Sequence, residues 1–145
     1  MTAGSDGGLR TGGFQSQSDP PFDGTGNGVT AKITQPTKWF AVTYSLATNE
    51  QDPQTNTKAS KPQIFVSDGK LSGDLSAFAA AWNGQHFNQG SPKPGGAKPG
   101  MTTGPTGTYD KSTKKFVLEW TSQIVGGPFN NFTGTWHFEG TFEKA

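Results

Sequence analysis

FVLEWTSQI (residues 116–124) and FTGTWHFEGTF (residues 132–142) both alternate apolar and polar residues, the period of a half-buried β-strand. They flank GGPFNN (126–131), a sequence that favours a turn, and so predict an antiparallel hairpin. A slip of one residue would move every side chain to the opposite face, so one register keeps the large apolar residues together. That register pairs Ile124 with Phe132, Trp120 with Trp136, Leu118 with Phe138 and Phe116 with Gly140, and it pairs Glu119 with His137 on the other face. We expect the first face to be buried.

Regions upstream of the hairpin carry further strand patterns. VTAKITQ (29–35) and KWFAVTYSL (38–46) alternate with period two, and TGTYDKSTKKF (106–116) reads as strand, polar turn and strand. QIFVSDGKLSG (63–73) contains an Asp68-Gly69 pair, a strong signal for a β-hairpin. About seven short strands are therefore predicted, as in an antiparallel β-sandwich or a small β-barrel. We assign residues 29–145 to this single all-β domain.

DLSAFAAAWNG (74–84) is ambiguous between helix and strand. Its apolar residues recur at helical spacing, with Asp74 and Gly84 placed to cap the two ends. The same residues also fit a continuing strand. We predict at most one short helix, at about residues 75–83. The Pro/Gly-rich stretch at 88–105 is expected to be a surface flap with Lys93 and Lys98 exposed.

Residues 1–28 have no hydrophobic period and are rich in glycine. Such a segment buries too little apolar surface of its own to offset an ordering entropy of about 1–2 kcal/mol per residue. Its three spaced apolar residues are Leu9, Phe14 and Phe22. We interpret the segment as an extended arm that buries little against its own domain and docks on a neighbouring molecule through these residues.

Composition narrows the function classes. The absence of cysteine excludes disulfides and thiolate chemistry, and the net charge of +1 does not indicate nucleic acid as a partner. No apolar run approaches the roughly 20 residues of a membrane-spanning helix. Two patterns could suggest chemistry. His137 could form a histidine–carboxylate pair with Glu119 and Glu139, and DGTGNG (23–28) resembles the first half of a calcium loop. A solvated sheet face and an ordinary turn explain them as well, so we expect no enzyme activity, cofactor or metal.

Two hypotheses of function remain. The first is a structural module that assembles with copies of itself or with another assembly protein. Its most concrete form is a virion surface protein of the capsid-decoration type, docked through the N-terminal arm. The alternative is a secreted or cell-surface binding domain for a carbohydrate or small apolar ligand. Its ligand patch would comprise Trp82, His86 and Phe87, because aromatic rings beside amide groups suit a sugar. Both hypotheses place the protein on a virion surface or outside the cell.

Overall fold

The computed structural model describes residues 8–144, which form two antiparallel sheets packed as a β-sandwich. The small sheet has the strand order β1 (Thr37–Trp39), β2 (Val42–Thr48), β5 (Phe78–Trp82), β6 (Gln85–Asn88). The large sheet has the order β3 (Gln63–Ser67), β4 (Lys70–Asp74), β7 (Thr103–Tyr109), β8 (Lys115–Gln123), β9 (Thr133–Thr141). The all-β class is confirmed, with nine strands in the described residues instead of about seven. No helix long and apolar enough to cross a membrane occurs within residues 8–144.

The hairpin β8–β9 has the predicted register. Trp120 pairs with Trp136, Leu118 with Phe138 and Glu119 with His137, while the Ile124 backbone N–H donates to the Phe132 carbonyl. Phe132 and Phe142 are nevertheless exposed, so the expectation that this whole apolar face is buried is wrong at its ends. β9 is the last strand of the large sheet, and the two phenylalanines lie just outside it, at its two ends.

Aromatic rings from both sheets meet in the core. Phe78 of β5 makes T-shaped contacts with Trp120, Trp136 and Phe138 of the hairpin. Gln89 satisfies both indole N–H groups, since Trp120 donates to its backbone carbonyl at 2.8 Å and Trp136 to its Oε1 at 2.9 Å. A Cβ at position 134 would collide with this Gln89 side chain, so the glycine allows Gln89 to approach β9 closely.

The predicted helix at 75–83 is wrong, because β5 occupies Phe78–Trp82. Ala79, Ala80 and Ala81 are all buried, so the strand lacks the polar alternation that marks a half-exposed one. Asn83 and Gly84 have φ angles of 52° and 72°. Positive φ at both central residues suits a two-residue hairpin turn, so Gly84 turns the chain between β5 and β6 instead of capping a helix.

KWFAVTYSL forms two strands instead of one. The turn at Phe40 and Ala41 separates β1 from β2, and Phe40 points into solvent. The predicted strand at 29–35 is also absent. Thr30, Ile33 and Thr34 are the buried residues there, a spacing set by contacts with the rest of the domain and not by a period of two.

Residues 8–28 lie on their own domain, which corrects the expectation of an arm that buries little there. They form no regular strand, but Gln15 pairs with Thr48 of β2 through backbone and side-chain hydrogen bonds. The Gly12 N–H donates to the Pro62 carbonyl at 2.8 Å. Gly28 is buried so closely that a Cβ there would lie 2.6 Å from Ser45 Oγ and 2.8 Å from the Ala81 carbonyl. The segment therefore covers part of the outer face of the small sheet.

The Pro/Gly-rich stretch is not a surface flap at its start. Gln89, Ser91 and Lys93 are buried, and the exposed residues, including Lys98, begin at Gly95. Lys93 is 6% exposed, so the expectation that it faces solvent is wrong. Acceptors supplied by Asn88 and Ser122 surround its ammonium group and explain why it tolerates burial.

Candidate functional site: an aromatic tip

Three aromatic side chains gather at one end of the small sheet, where the β1–β2 and β5–β6 turns lie side by side. We call Trp39, Phe40 and Trp82 the aromatic tip. The Trp39 ring centroid is 4.9 Å from that of Phe40 and 4.9 Å from that of Trp82. Trp39 is 55% exposed and Phe40 is 81% exposed. The tip therefore offers aromatic surface to solvent that the core does not use.

Trp82 anchors this tip. Its indole Nε1 donates to the Trp39 carbonyl at 3.1 Å and to the Val42 carbonyl at 3.2 Å, which closes the β1–β2 hairpin. Its pairing with Tyr44 places it at the end of β5. Loss of the Trp82 indole is thus expected to loosen the hairpin that holds the two exposed rings, whereas loss of an exposed ring removes contact surface alone.

The backbone at Phe40 is unusual for an aromatic residue. Its φ is 55°, in the left-handed region that costs a non-glycine residue about 1–2 kcal/mol. Burial does not compensate for this cost, because the side chain is the most exposed large hydrophobic one in the described residues. Conformational strain of this kind is concentrated at functional sites. The positive φ therefore marks the exposed Phe40 ring as a candidate ligand contact.

A polar loop flanks the tip. The Asp23 carboxylate accepts hydrogen bonds from the backbone and side chains of Thr25 and Asn27. These bonds, that from the Asn27 side chain foremost, lower the Asp23 pKa to about 2. Asn27 Oδ1 in turn accepts from the Thr43 N–H at 2.8 Å, and the Gly26 carbonyl accepts from the Gly84 N–H at 3.1 Å. In residues 23–28, which resemble half of a calcium loop, the Asp23 carboxylate therefore stabilises the turn through internal hydrogen bonds.

The structure separates the three residues of the predicted ligand patch. Trp82 and Phe87 share the inward face of the small sheet, but Phe87 packs against Phe129 while Trp82 joins the tip. His86 lies on the outer face, with its ring 5.1 Å from that of Phe22, and burial lowers its pKa. Only Trp82 therefore belongs to the aromatic tip.

Trp39 and Phe40 were not identified as site residues from the sequence. The alternation in KWFAVTYSL placed Phe40 on a buried face, because nothing in the pattern marks a turn at Phe40-Ala41. One signal was available. Two adjacent bulky aromatics cannot both face inward in a half-buried strand, so one of them had to be exposed or the strand had to be interrupted.

The predicted assembly residues are all placed against the domain. Leu9 packs against the hydrophobic core cluster, and Phe22 lies against His86. Phe14 is half-buried and lines an open cleft together with Arg10 and Val29. None of the three is extended into solvent.

His137 lies on the open outer face of the large sheet. Its Nδ1 is 2.6 Å from Glu119 Oε1, and its Nε2 is 3.4 Å from Glu139 Oε2. These contacts, with Glu119 the larger, raise the His137 pKa. No group of three or more acidic, histidine or cysteine side chains with the geometry of a metal site occurs within residues 8–144.

Comparison with protein-family models, with curated proteins and with solved structures gives no match for this chain.

Proposed function

We propose that the protein is a non-enzymatic binding module that holds a carbohydrate chain on its aromatic tip. The observation that carries the proposal is the pair of exposed rings, Trp39 and Phe40, held at the end of a sheet by the Trp82 indole. A sugar presents C–H groups on its ring face and hydroxyls on its rim. Aromatic rings suit the first, and nearby amide and hydroxyl groups suit the second.

The environment of the tip agrees with a neutral ligand. Charged residues make up 16% of the chain, below the roughly 25% of an average domain. In the flanking loop, the one carboxylate, that of Asp23, is already occupied by the Thr25 and Asn27 side chains. A stacking platform on a chain of low charge fits an uncharged glycan better than it fits a polyanion.

The test is binding to a panel of insoluble and soluble polysaccharides. Depletion from solution by cellulose, chitin and peptidoglycan, with affinity electrophoresis in xylan, mannan and β-glucan, gives the wild-type profile. We expect at least one of these to bind. Trp39→Ala and Phe40→Gly should each weaken that binding by at least about tenfold, which is 1.4 kcal/mol. Phe65→Ala serves as the control, since Phe65 is similarly exposed on the large sheet.

Phe40→Gly separates binding from folding. Glycine relieves the positive φ but gains freedom in the unfolded chain, so the free energy of unfolding should change by less than about 1 kcal/mol. The proposal fails if the protein binds no member of the panel, or if its binding survives both tip substitutions.

A second candidate function is assembly with copies of itself, as in a virion surface protein. The observation that favours it is β3, an outer strand of the large sheet that exposes Phe65 and Val66. An outer strand has unpaired backbone groups that can pair with another chain. Such docking would not require residues 8–28, which pack on their own domain. Sedimentation velocity over a range of concentrations should then show oligomers that Val66→Lys disperses. A monomer at all concentrations would exclude this candidate.

A further inference from the structure

A buried polar cluster connects β6, β8 and two loops beneath the sandwich surface. Its members are Asp52, Asn88, Lys93 and Ser122, each of them buried. Nothing in the proposed binding function uses these residues. A lysine and a carboxylate that both hydrogen-bond to one side-chain amide away from water also form a chemically reactive set.

The Asn88 side-chain amide is held by four hydrogen bonds. Its Oδ1 accepts from the Val125 N–H at 3.0 Å and from Lys93 Nζ at 3.1 Å. Its Nδ2 donates to Asp52 Oδ1 at 3.0 Å and to the Val125 carbonyl at 2.9 Å. This arrangement fixes which end of the amide is oxygen. The Val125 N–H on Oδ1 also polarises the carbonyl and would stabilise negative charge developing on that oxygen.

Lys93 Nζ lies within hydrogen-bond distance of that carbonyl. It donates to Asn88 Oδ1, to the Asn88 backbone carbonyl at 3.1 Å and to Ser122 Oγ at 2.7 Å. Burial lowers the Lys93 pKa to about 8, against an opposing effect of the nearby Asp52 charge. A substantial fraction of the amine is therefore neutral, with a free electron pair, at mildly alkaline pH.

We propose that Lys93 and Asn88 become joined by an intramolecular amide bond, with Asp52 carrying the proton. The Nζ electron pair forms a bond to Asn88 Cγ, and the carbonyl electrons move onto Oδ1. When they return, the Cγ–Nδ2 bond breaks. As Nζ closes on Cγ, Asp52, which accepts a hydrogen bond from Nδ2, takes the proton released from Nζ and delivers it to the leaving nitrogen. The products are a secondary amide and one ammonia, and the step requires no oxidant or other reactant.

The cross-link would reinforce the junction between the sheets. It closes a ring from Asn88 to Lys93, and Gln89 lies within this ring. Gln89 accepts the indole N–H groups of both core tryptophans, Trp120 and Trp136. Fixing the segment that carries Gln89 therefore stabilises the contact between β6 and the β8–β9 hairpin.

The first experiment is an intact-mass measurement of the full chain, unfolded in denaturant after folding and incubation at pH 8 to 9. We expect the mass to be lower than the sequence mass by one ammonia. An amine-acylating reagent applied to the unfolded chain should then modify the other lysines and leave Lys93 unmodified. In tandem mass spectra, fragments from cleavage between residues 88 and 93 should be missing. An unchanged mass together with complete acylation of Lys93 overturns the proposal.

Two variants distinguish the cross-link from cyclisation of an asparagine onto the backbone, which also releases ammonia. Lys93→Met and Asp52→Asn should both keep the sequence mass, whereas backbone cyclisation would persist in Lys93→Met. Asp52→Asn preserves the shape and the acceptor oxygen but cannot carry the proton. In the wild type, the rate of ammonia loss should rise with pH and level off above about 8, as the Lys93 amine loses its proton. Retention of the ammonia loss in either variant contradicts the mechanism.

Discussion

The outer faces of the two sheets differ in what lies over them. On the small sheet, Ser45 and Ala47 of β2 and Ala79 and Ala81 of β5 point away from the core, yet none is more than 1% exposed. On the large sheet, outward residues such as Glu119 of β8 and His137 of β9 are exposed. The first face carries small side chains and is covered by irregular chain, and the second carries polar side chains and is bare.

This difference shows where apolar–polar alternation along a strand predicts its register. A bare face must be polar, so β8 and β9 alternate and reveal their register. Where another backbone lies directly on a sheet face, the side chains of that face must be small. The sequence of β5 is therefore a run of alanines without apolar–polar alternation. The covering segment has no hydrophobic alternation either. Gly28 and its neighbours follow the surface of the sheet beneath them and form no regular strand of their own.

Removing the cover should have the largest effect. Deletion of residues 1–28 exposes the alanine face and leaves backbone groups such as the Thr48 N–H without partners. We expect the truncated chain to lose cooperative thermal unfolding and dispersed amide resonances. A synthetic peptide of residues 8–28, added in excess, should restore part of both. Cooperative melting of the truncated chain near the parent temperature would show instead that the segment is a dispensable arm.

A substitution between the sheets should come next. Trp120 is 2% exposed, and its indole donates to the Gln89 carbonyl. Trp120→Ala should therefore lower the free energy of unfolding by about 3–5 kcal/mol, measured by urea denaturation. Trp39→Ala provides the matched tryptophan on the surface and should cost less than about 1 kcal/mol. Equal losses from both changes would mean that the aromatic tip is part of the core.

A single methyl group tests the contact between cover and sheet. Gly28→Ala places a Cβ within 2.8 Å of the Ala81 carbonyl and the Ser45 N–H, so the cover must shift. We expect a loss of about 1–3 kcal/mol in the free energy of unfolding. Gly24→Ala is the control in the same loop, since a Cβ there meets nothing within 4 Å. If the two alanine variants unfold alike, Gly28 does not lie against the sheet as described.

Much of the large sheet could be predicted from the sequence, because its signals are local. The Asp68-Gly69 turn of β3–β4 and the register of β8–β9 both follow from residues close together in the chain. The course of residues 8–34 could not, since it depends on contacts with strands that are distant in sequence. The burial of Lys93 could not be predicted for the same reason, since its partner Ser122 lies 29 positions away in the chain.

The candidate site was less accessible to sequence reasoning than the fold. Aromatic content indicated a binding surface, and Trp82 was among the residues named. The other two members depend on the turn at Phe40, where a bulky residue adopts a positive φ. Propensity disfavours that conformation, so a prediction from pattern alone continues the strand through it. The site lies at the point where local preference and structure disagree.

The two histidines give the smallest and most specific comparison of the two faces. Beneath Phe22, burial lowers the His86 pKa from 6.5, while on the bare face Glu119 and then Glu139 raise the His137 pKa above 6.5. His137 thus contributes stability below pH 6.5 that is lost as pH rises through its folded pKa, and His86 has the opposite sign, with stability lost as pH falls below 6.5. A single NMR titration of the ring protons should show two midpoints on opposite sides of 6.5. Glu119→Gln should lower the His137 midpoint and leave that of His86 unchanged, with little change in the unfolding midpoint because the pair is exposed. Coincident midpoints in the parent would mean that burial of His86 and the contact of Glu119 with His137 do not act on the two pKa values as stated.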